Sequence, residues 1–348
     1  MLSVALAGKP NAGKSTFYKA ATMADVDVAN YPFTTIDPNR GVSYVRTDCP
    51  CLDREARCDA AYCRDGKRYA SVELVDVAGL VPGAHEGRGL GNQFLDALTD
   101  ADVILNVVDA SGGTNEEGEP VDRGSYDPTR DVEFVEEEMD LWLASVVGRN
   151  WEGIGRRSRS PDFDLESALT ELLTGVGATP ADVARVLRSM DYPADPFQWT
   201  DEDREELARK VRQETKPIVV VANKADVAPP EALDALREAA DVVVAASAAG
   251  ELALRRAAEA GVVEYDPGDP EFAVVGDLDE SQAAGLDRVR DLMEREGGTG
   301  VQAALNTAVY DVLDHVTAYP VQNETRWTDG QGTVLPRRPP PSPRVDAP

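Results

Sequence analysis

Gly8-Lys9-Pro10-Asn11-Ala12-Gly13-Lys14-Ser15 spells G-x-x-x-x-G-K-S directly behind an apolar run at 2–7. Glycines at both ends of such a loop let backbone N–H groups turn inward around phosphate oxygens. Lys14 is placed to reach the outer phosphates, and the Ser15 hydroxyl to hold Mg²⁺. Ala12 and Thr16 complete the set of loop and helix-start residues expected to contact them. A glycine-rich turn without a ligand is the plainer alternative. A strand before the loop and a helix after it favour a nucleotide polyphosphate.

Three further elements follow in chain order. Asp76-Val77-Ala78-Gly79 closes an apolar run, where Asp76 would join the Mg²⁺ shell and the Gly79 N–H would meet the γ-phosphate. Asn223-Lys224-Ala225-Asp226 closes another. A carboxylate at Asp226 can accept the N1–H and 2-amino donors of guanine, a pair that adenine does not present. Asn223 and Lys224 would flank the base and brace the phosphate loop, and Ser247-Ala248-Ala249 can add backbone contacts to the guanine oxygen. Between the first two apolar runs, Thr35 is the favoured threonine to complete the Mg²⁺ shell, with Thr34 the competitor. The ligands expected are GTP and GDP with Mg²⁺.

Positioning these groups needs a sheet. Short apolar runs at 3–7, 41–45, 71–75, 103–108, 217–222 and 242–245 read as strands buried on both faces, with helical patterns between them. That alternation predicts an α/β fold with a mostly parallel, doubly wound sheet and its ligand at the strand carboxyl ends. The interval from 108 to 217 is far longer than a crossover requires and carries helical patterns at 131–150, 164–174, 179–189 and 201–214. It is read as an inserted helical domain. The expected division is a G domain from 1–112 and 216–318, and a helical insert at 113–215. An incomplete β-rich segment at 319–336 and a Pro/Arg-rich disordered tail at 337–348 would follow.

Of the 348 residues, 63 are acidic and 35 basic, a net charge of −28, spread along the chain rather than gathered in a tail. Such a surface repels phosphate backbones, so no direct DNA binding is expected. It suits a salt-adapted cytosol. Hydrophobic residues make up 42% of the chain without an apolar stretch near 18 residues, and the first strand leaves no room for a signal peptide. A cytoplasmic protein with no membrane partner is expected.

The segments Ala29-Asn30-Tyr31-Pro32-Phe33-Thr34-Thr35, Asp76-Val77-Ala78-Gly79-Leu80-Val81 and Gly83-Ala84-His85-Glu86-Gly87-Arg88-Gly89-Leu90-Gly91-Asn92 resemble the Obg-related GTPases. The resemblance is to the archaeal branch of the YchF, or Obg-like ATPase, subfamily, and runs from residue 1 to about 335. It implies a P-loop NTPase G domain, an inserted helical domain and a C-terminal TGS domain. It also implies association with ribosomes or the translation machinery. Bacterial and eukaryotic members lack N-K-x-D and favour ATP, whereas Asn223, Lys224 and Asp226 are present here. The stretch from 319 would open the TGS domain, and the turn into Pro/Arg sequence after 336 reads as a truncated or altered end, or as a docking tail.

Leu80 stands where many small GTPases carry the glutamine that orients water, so hydrolysis should be slow or use another group. His85 and Asn106 are the candidates; in bacterial relatives the position of Asn106 resembles one that carries His. His85 reads equally as a switch-loop surface residue. Asn11 matches the asparagine of K⁺-stimulated P-loop GTPases, where an amide oxygen holds a monovalent cation against the γ-phosphate, or it only shapes the loop. Finally, Cys49, Cys51, Cys58 and Cys63 fall within fifteen residues as C-x-C-x₆-C-x₄-C. Clustering raises a Zn²⁺ site, although only Cys58 and Cys63 have comfortable ligand spacing, and plain thiols are the alternative.

Overall fold

The computed structural model describes residues 1–22, 40–52, 63–64, 66–77, 79 and 98–318. Strands β1 (Ser3–Ala7), β2 (Arg40–Asp48), β3 (Cys63–Arg64), β4 (Lys67–Asp76), β5 (Val103–Asp109), β6 (Ile218–Asn223) and β7 (Val243–Ala245) form one sheet in the order β2-β4-β1-β5-β6-β7, with β3 also on β4. From β4 to β7 every pair is parallel. β2 and β3 are antiparallel to β4. All six apolar runs become strands. β1 and β5 are buried along their whole length, as strands covered on both faces must be. Two-residue strands β8 (Val263–Glu264) and β9 (Ala273–Val274) pair separately and are too short to show a period in the sequence.

Nine α-helices accompany the strands among the described residues. α1 (Lys14–Thr22) follows the phosphate loop, and α2 (Arg130–Arg157), α3 (Leu165–Leu173), α4 (Pro180–Arg188) and α5 (Asp201–Thr215) lie between β5 and β6. α6 (Pro230–Ala239), α7 (Ala248–Glu259), α8 (Glu280–Glu296) and α9 (Val301–Asn306) complete the set. Thr179 and Thr200 cap α4 and α5 in reciprocal boxes with Asp182 and Asp203, which is why those helices start where they do.

α2 extends past the expected 131–150, because Leu143, Val147, Trp151 and Ile154 continue one buried stripe to its end. That half of α2 joins α3–α5 around an apolar cluster, where Trp151 and Trp199 pack with ring centroids 4.7 Å apart. Its first half instead puts Val135 and Met139 against Ala5, Ala7, Val75 and Ile104 of the sheet. α9 is followed by a π-helical turn, Thr307–Val312, across which Val301, Ala304, Leu305, Ala308 and Val309 stay packed on the sheet. Both C-terminal segments, 319–336 and 337–348, lie outside the described residues.

Candidate nucleotide site

β1 ends in the phosphate loop, whose backbone only glycine tolerates at two points. Gly8 has φ +130° and Gly13 φ +106°. A Cβ would come within 2.4 Å of the Val107 carbonyl oxygen at the first and 2.2 Å of Asn223 Nδ2 at the second. α1 begins at Lys14, so Ser15 and Thr16 occupy its first turn beside the loop amides. The Lys14 ammonium is buried and donates to the carbonyls of Gly8 at 2.9 Å and Lys9 at 2.8 Å. Burial lowers its pKa to about 8, against the upward pull of the Asp76 carboxylate.

The neighbouring strand ends converge on this loop. Asp76, the last residue of β4, lies opposite Leu6 of β1, and Gly79 follows with its backbone against Pro10 of the loop. Ser15 and Asp76 are thus brought to the same edge of the sheet as hydroxyl and carboxylate oxygens, a donor set that suits Mg²⁺. On the other side Asn223, at the end of β6, donates Nδ2 to the Ala12 carbonyl at 2.9 Å and accepts the Ala248 N–H at 3.0 Å. Lys224, held at φ +62°, donates to the Asn11 carbonyl at 3.0 Å and to Asp109 at 2.8 Å.

Of the three amides expected at the guanine oxygen, two are engaged by protein. The Ser247 N–H goes to Thr299 and the Ala248 N–H to Asn223, while the Ser247 hydroxyl caps α7 through the Gly250 N–H. Ala249, exposed in the first turn of α7, is the remaining donor. It lines a groove of about 430 Å³ together with Asp226, Gly250 and Arg256. Thr34, Thr35, Leu80 and His85 lie outside the described residues.

Asn106 is fully buried on β5 and donates to the Asp131 carbonyl at 3.1 Å, so it braces the start of α2. Asn11, at φ +59°, donates Nδ2 to the Gly118 carbonyl at 2.9 Å, leaving Oδ1 as its remaining acceptor. The structure brings Cys49, Cys51 and Cys63 together, with sulfur atoms within 4.8 Å of one another. Cys58 lies outside the described residues.

Sequence reasoning missed a second layer under the loop, supplied by the segment after β5. Lys9 is 1% exposed. It pairs with Asp131 at 2.9 Å, donates to the Thr114 carbonyl at 2.8 Å and sits 3.8 Å over the Tyr126 ring. Asp109, also buried, accepts from Ser111, Thr114 and Lys224. Burial alone would push its carboxyl up, but those bonds, that of Lys224 foremost, hold it below the ordinary carboxylate range. The run Asp109-Ala110-Ser111-Gly112-Gly113-Thr114, dense in turn residues just past a strand end, was the signal available.

Comparisons with known proteins agree with this geometry. Residues 3–140 match the 50S ribosome-binding GTPase family, and residues 221–323 match the Obg-like GTPase YGR210-like, G4 motif-containing domain. A GTP-binding protein of Methanocaldococcus jannaschii is 42% identical over 341 residues, covering 97% of this chain and 86% of that protein. The crystal structure of a GTP-binding protein from Pyrococcus horikoshii superposes with a TM-score of 0.75 at 34% identity, over 97% of this chain and 84% of that one. The ribosome-binding ATPase YchF of Bacillus subtilis is 30% identical over 228 residues, 64% of this chain and 56% of that protein. Among the described residues no helix is long and apolar enough to cross a membrane. With its phosphate loop, its parallel sheet and these relatives, the chain belongs to the Obg-like, YchF-type P-loop GTPases.

Proposed function

We propose that this protein is a Mg²⁺-dependent molecular switch that binds GTP and hydrolyses it to GDP and phosphate. The observation that carries the reading is the tie between the base element and the phosphate loop. Asn223 holds Ala12 and Lys224 holds Asn11, while Asp226, two residues on, lines the groove beside Ala249. In this reading Asp226 accepts the two guanine N–H donors, and Lys14 with the loop amides of Gly8, Asn11, Ala12, Gly13 and Thr16 holds the phosphates. Mg²⁺ held by Ser15, Asp76 and Thr35 would neutralise charge on the β- and γ-phosphates. The Gly79 amide senses the γ-phosphate, and Leu80, unable to hydrogen-bond water, keeps the intrinsic rate low, with His85 the group to test for orienting water.

Residues 113–215 serve as an inserted helical domain whose position follows the nucleotide state. A role at the ribosome or in translation is supported by the names of the matched family and of the Bacillus relative, and a cytoplasmic location goes with that role. The same relative is an ATPase, which makes ATP the rival ligand. Isothermal titration with GTP, GDP and ATP in high KCl separates the two. Guanine nucleotides should bind at least about a hundredfold tighter, given two lost hydrogen bonds to a charged acceptor. Comparable affinities would overturn the base assignment. Single-turnover assays with and without ribosomes test the switch, and no hydrolysis in either would leave a nucleotide-gated scaffold.

A further inference from the structure

We propose that Cys49, Cys51 and Cys63 form a structural Zn²⁺ site at the end of the sheet opposite the nucleotide, independent of the reading of that site. β2 delivers Cys49 and Cys51 just past its last residue, Asp48. Cys63 opens β3, which folds back on β4 so that Cys63 lies opposite Arg68. The Cys49 N–H donates to the Gly66 carbonyl at 2.7 Å, pinning the end of β2 to the β3–β4 turn. Three thiols spread over fifteen residues of sequence therefore meet at one corner, all within 4.8 Å of each other.

The spacing fits the metal. A tetrahedron with Zn–S bonds of about 2.3 Å has edges of about 3.8 Å. The Cys51 and Cys63 sulfurs are 3.8 Å apart. A disulfide needs about 2.0 Å, and none joins the three cysteines. Charge fits as well. Arg68 is fully buried, and its Nη2 lies 3.5 Å from the Cys49 sulfur. Three thiolates and one Zn²⁺ carry a net charge of −1, which a guanidinium at that distance offsets while donating to a metal-bound sulfur. Binding releases the three thiol protons and leaves a fourth corner to water or a further side chain. Ten residues of β4 separate this corner from Asp76, about 30 Å of strand, so the metal here staples the β2–β3–β4 corner and does not touch the nucleotide.

The test uses the full chain, purified without chelators or a metal column. Elemental analysis should find about one zinc per chain after exhaustive dialysis. Replacement by Co²⁺ should give a thiolate-to-metal charge-transfer band in the near ultraviolet. Cys49→Ser, Cys51→Ser and Cys63→Ser should each lose the zinc and weaken the band. The wild-type metal content and cobalt spectrum decide the matter even if a variant fails to fold. Wild-type protein with no zinc and no cobalt–thiolate band would overturn the assignment. So would a Cys51–Cys63 disulfide in a non-reducing peptide map, or full zinc retention in all three folded variants.

Discussion

Replacing Asp131 by Asn should destabilise the protein, and the size of the effect follows from the burial of Lys9. The Lys9 ammonium is 1% exposed and its counter-charge on Asp131 is 2.9 Å away. With the carboxylate gone, only the Thr114 carbonyl and the face of Tyr126 remain for a buried cation. Orphaning a buried charge costs about 3–5 kcal/mol.

Asp131→Asn is therefore expected to cost about 3–5 kcal/mol at pH 7. Lys9→Met combined with Asp131→Asn should recover much of the loss. Urea unfolding followed by circular dichroism, at fixed KCl, measures it. Salt will not mask the effect, since buried pairs are poorly screened. A loss below about 1 kcal/mol at pH 7 would refute the assignment of the pair as a buried charge clamp.

The pKa of Lys14, lowered by burial to about 8, should rise again when phosphates surround it. GDP affinity should hold steady below pH 8 and fall between pH 8 and 9 with proton uptake, seen by calorimetry in buffers of different ionisation enthalpy; unchanged affinity without uptake contradicts it. Asp226→Ala should weaken GTP about a hundredfold or more and leave ATP unaffected, as read by competition against labelled GDP. With Nδ2 of Asn11 committed to Gly118, its Oδ1 is the atom available to a monovalent cation. Turnover should be faster in KCl than in NaCl at equal ionic strength and equal fold stability, and equal rates dispose of the K⁺ role.

The strands were legible because full burial on both faces writes itself as a nearly continuous apolar run, as in residues 4–7 of β1 and 219–222 of β6. Short motifs at and just past their ends put Lys14, Asp76, Asn223 and Asp226 at the carboxyl edge of the sheet for the same reason: the junctions of strand and loop obey local rules. What stayed hidden depends on distance in sequence. Nothing local to Lys9 announces a partner at Asp131, and spacing rules favoured Cys58 with Cys63, because they cannot see a hairpin that folds Cys63 back on Cys49 and Cys51. Ser247 and Ala248 looked available for a base until Thr299 and Asn223 took their amides.

α2 is a single helix of 28 residues, about 42 Å long at 1.5 Å per residue. Its first turn is anchored to the phosphate loop through Lys9, and its last turns are embedded in the helical cluster with Trp151 and Ile154. A rod tied to the loop at its base and to the helical cluster at its tip is a lever between them. Tilting its base by about 5° sweeps its tip through about 4 Å over that length. A rearrangement at the loop too small to break a hydrogen bond would thus arrive at the far helices as a displacement the width of a side chain.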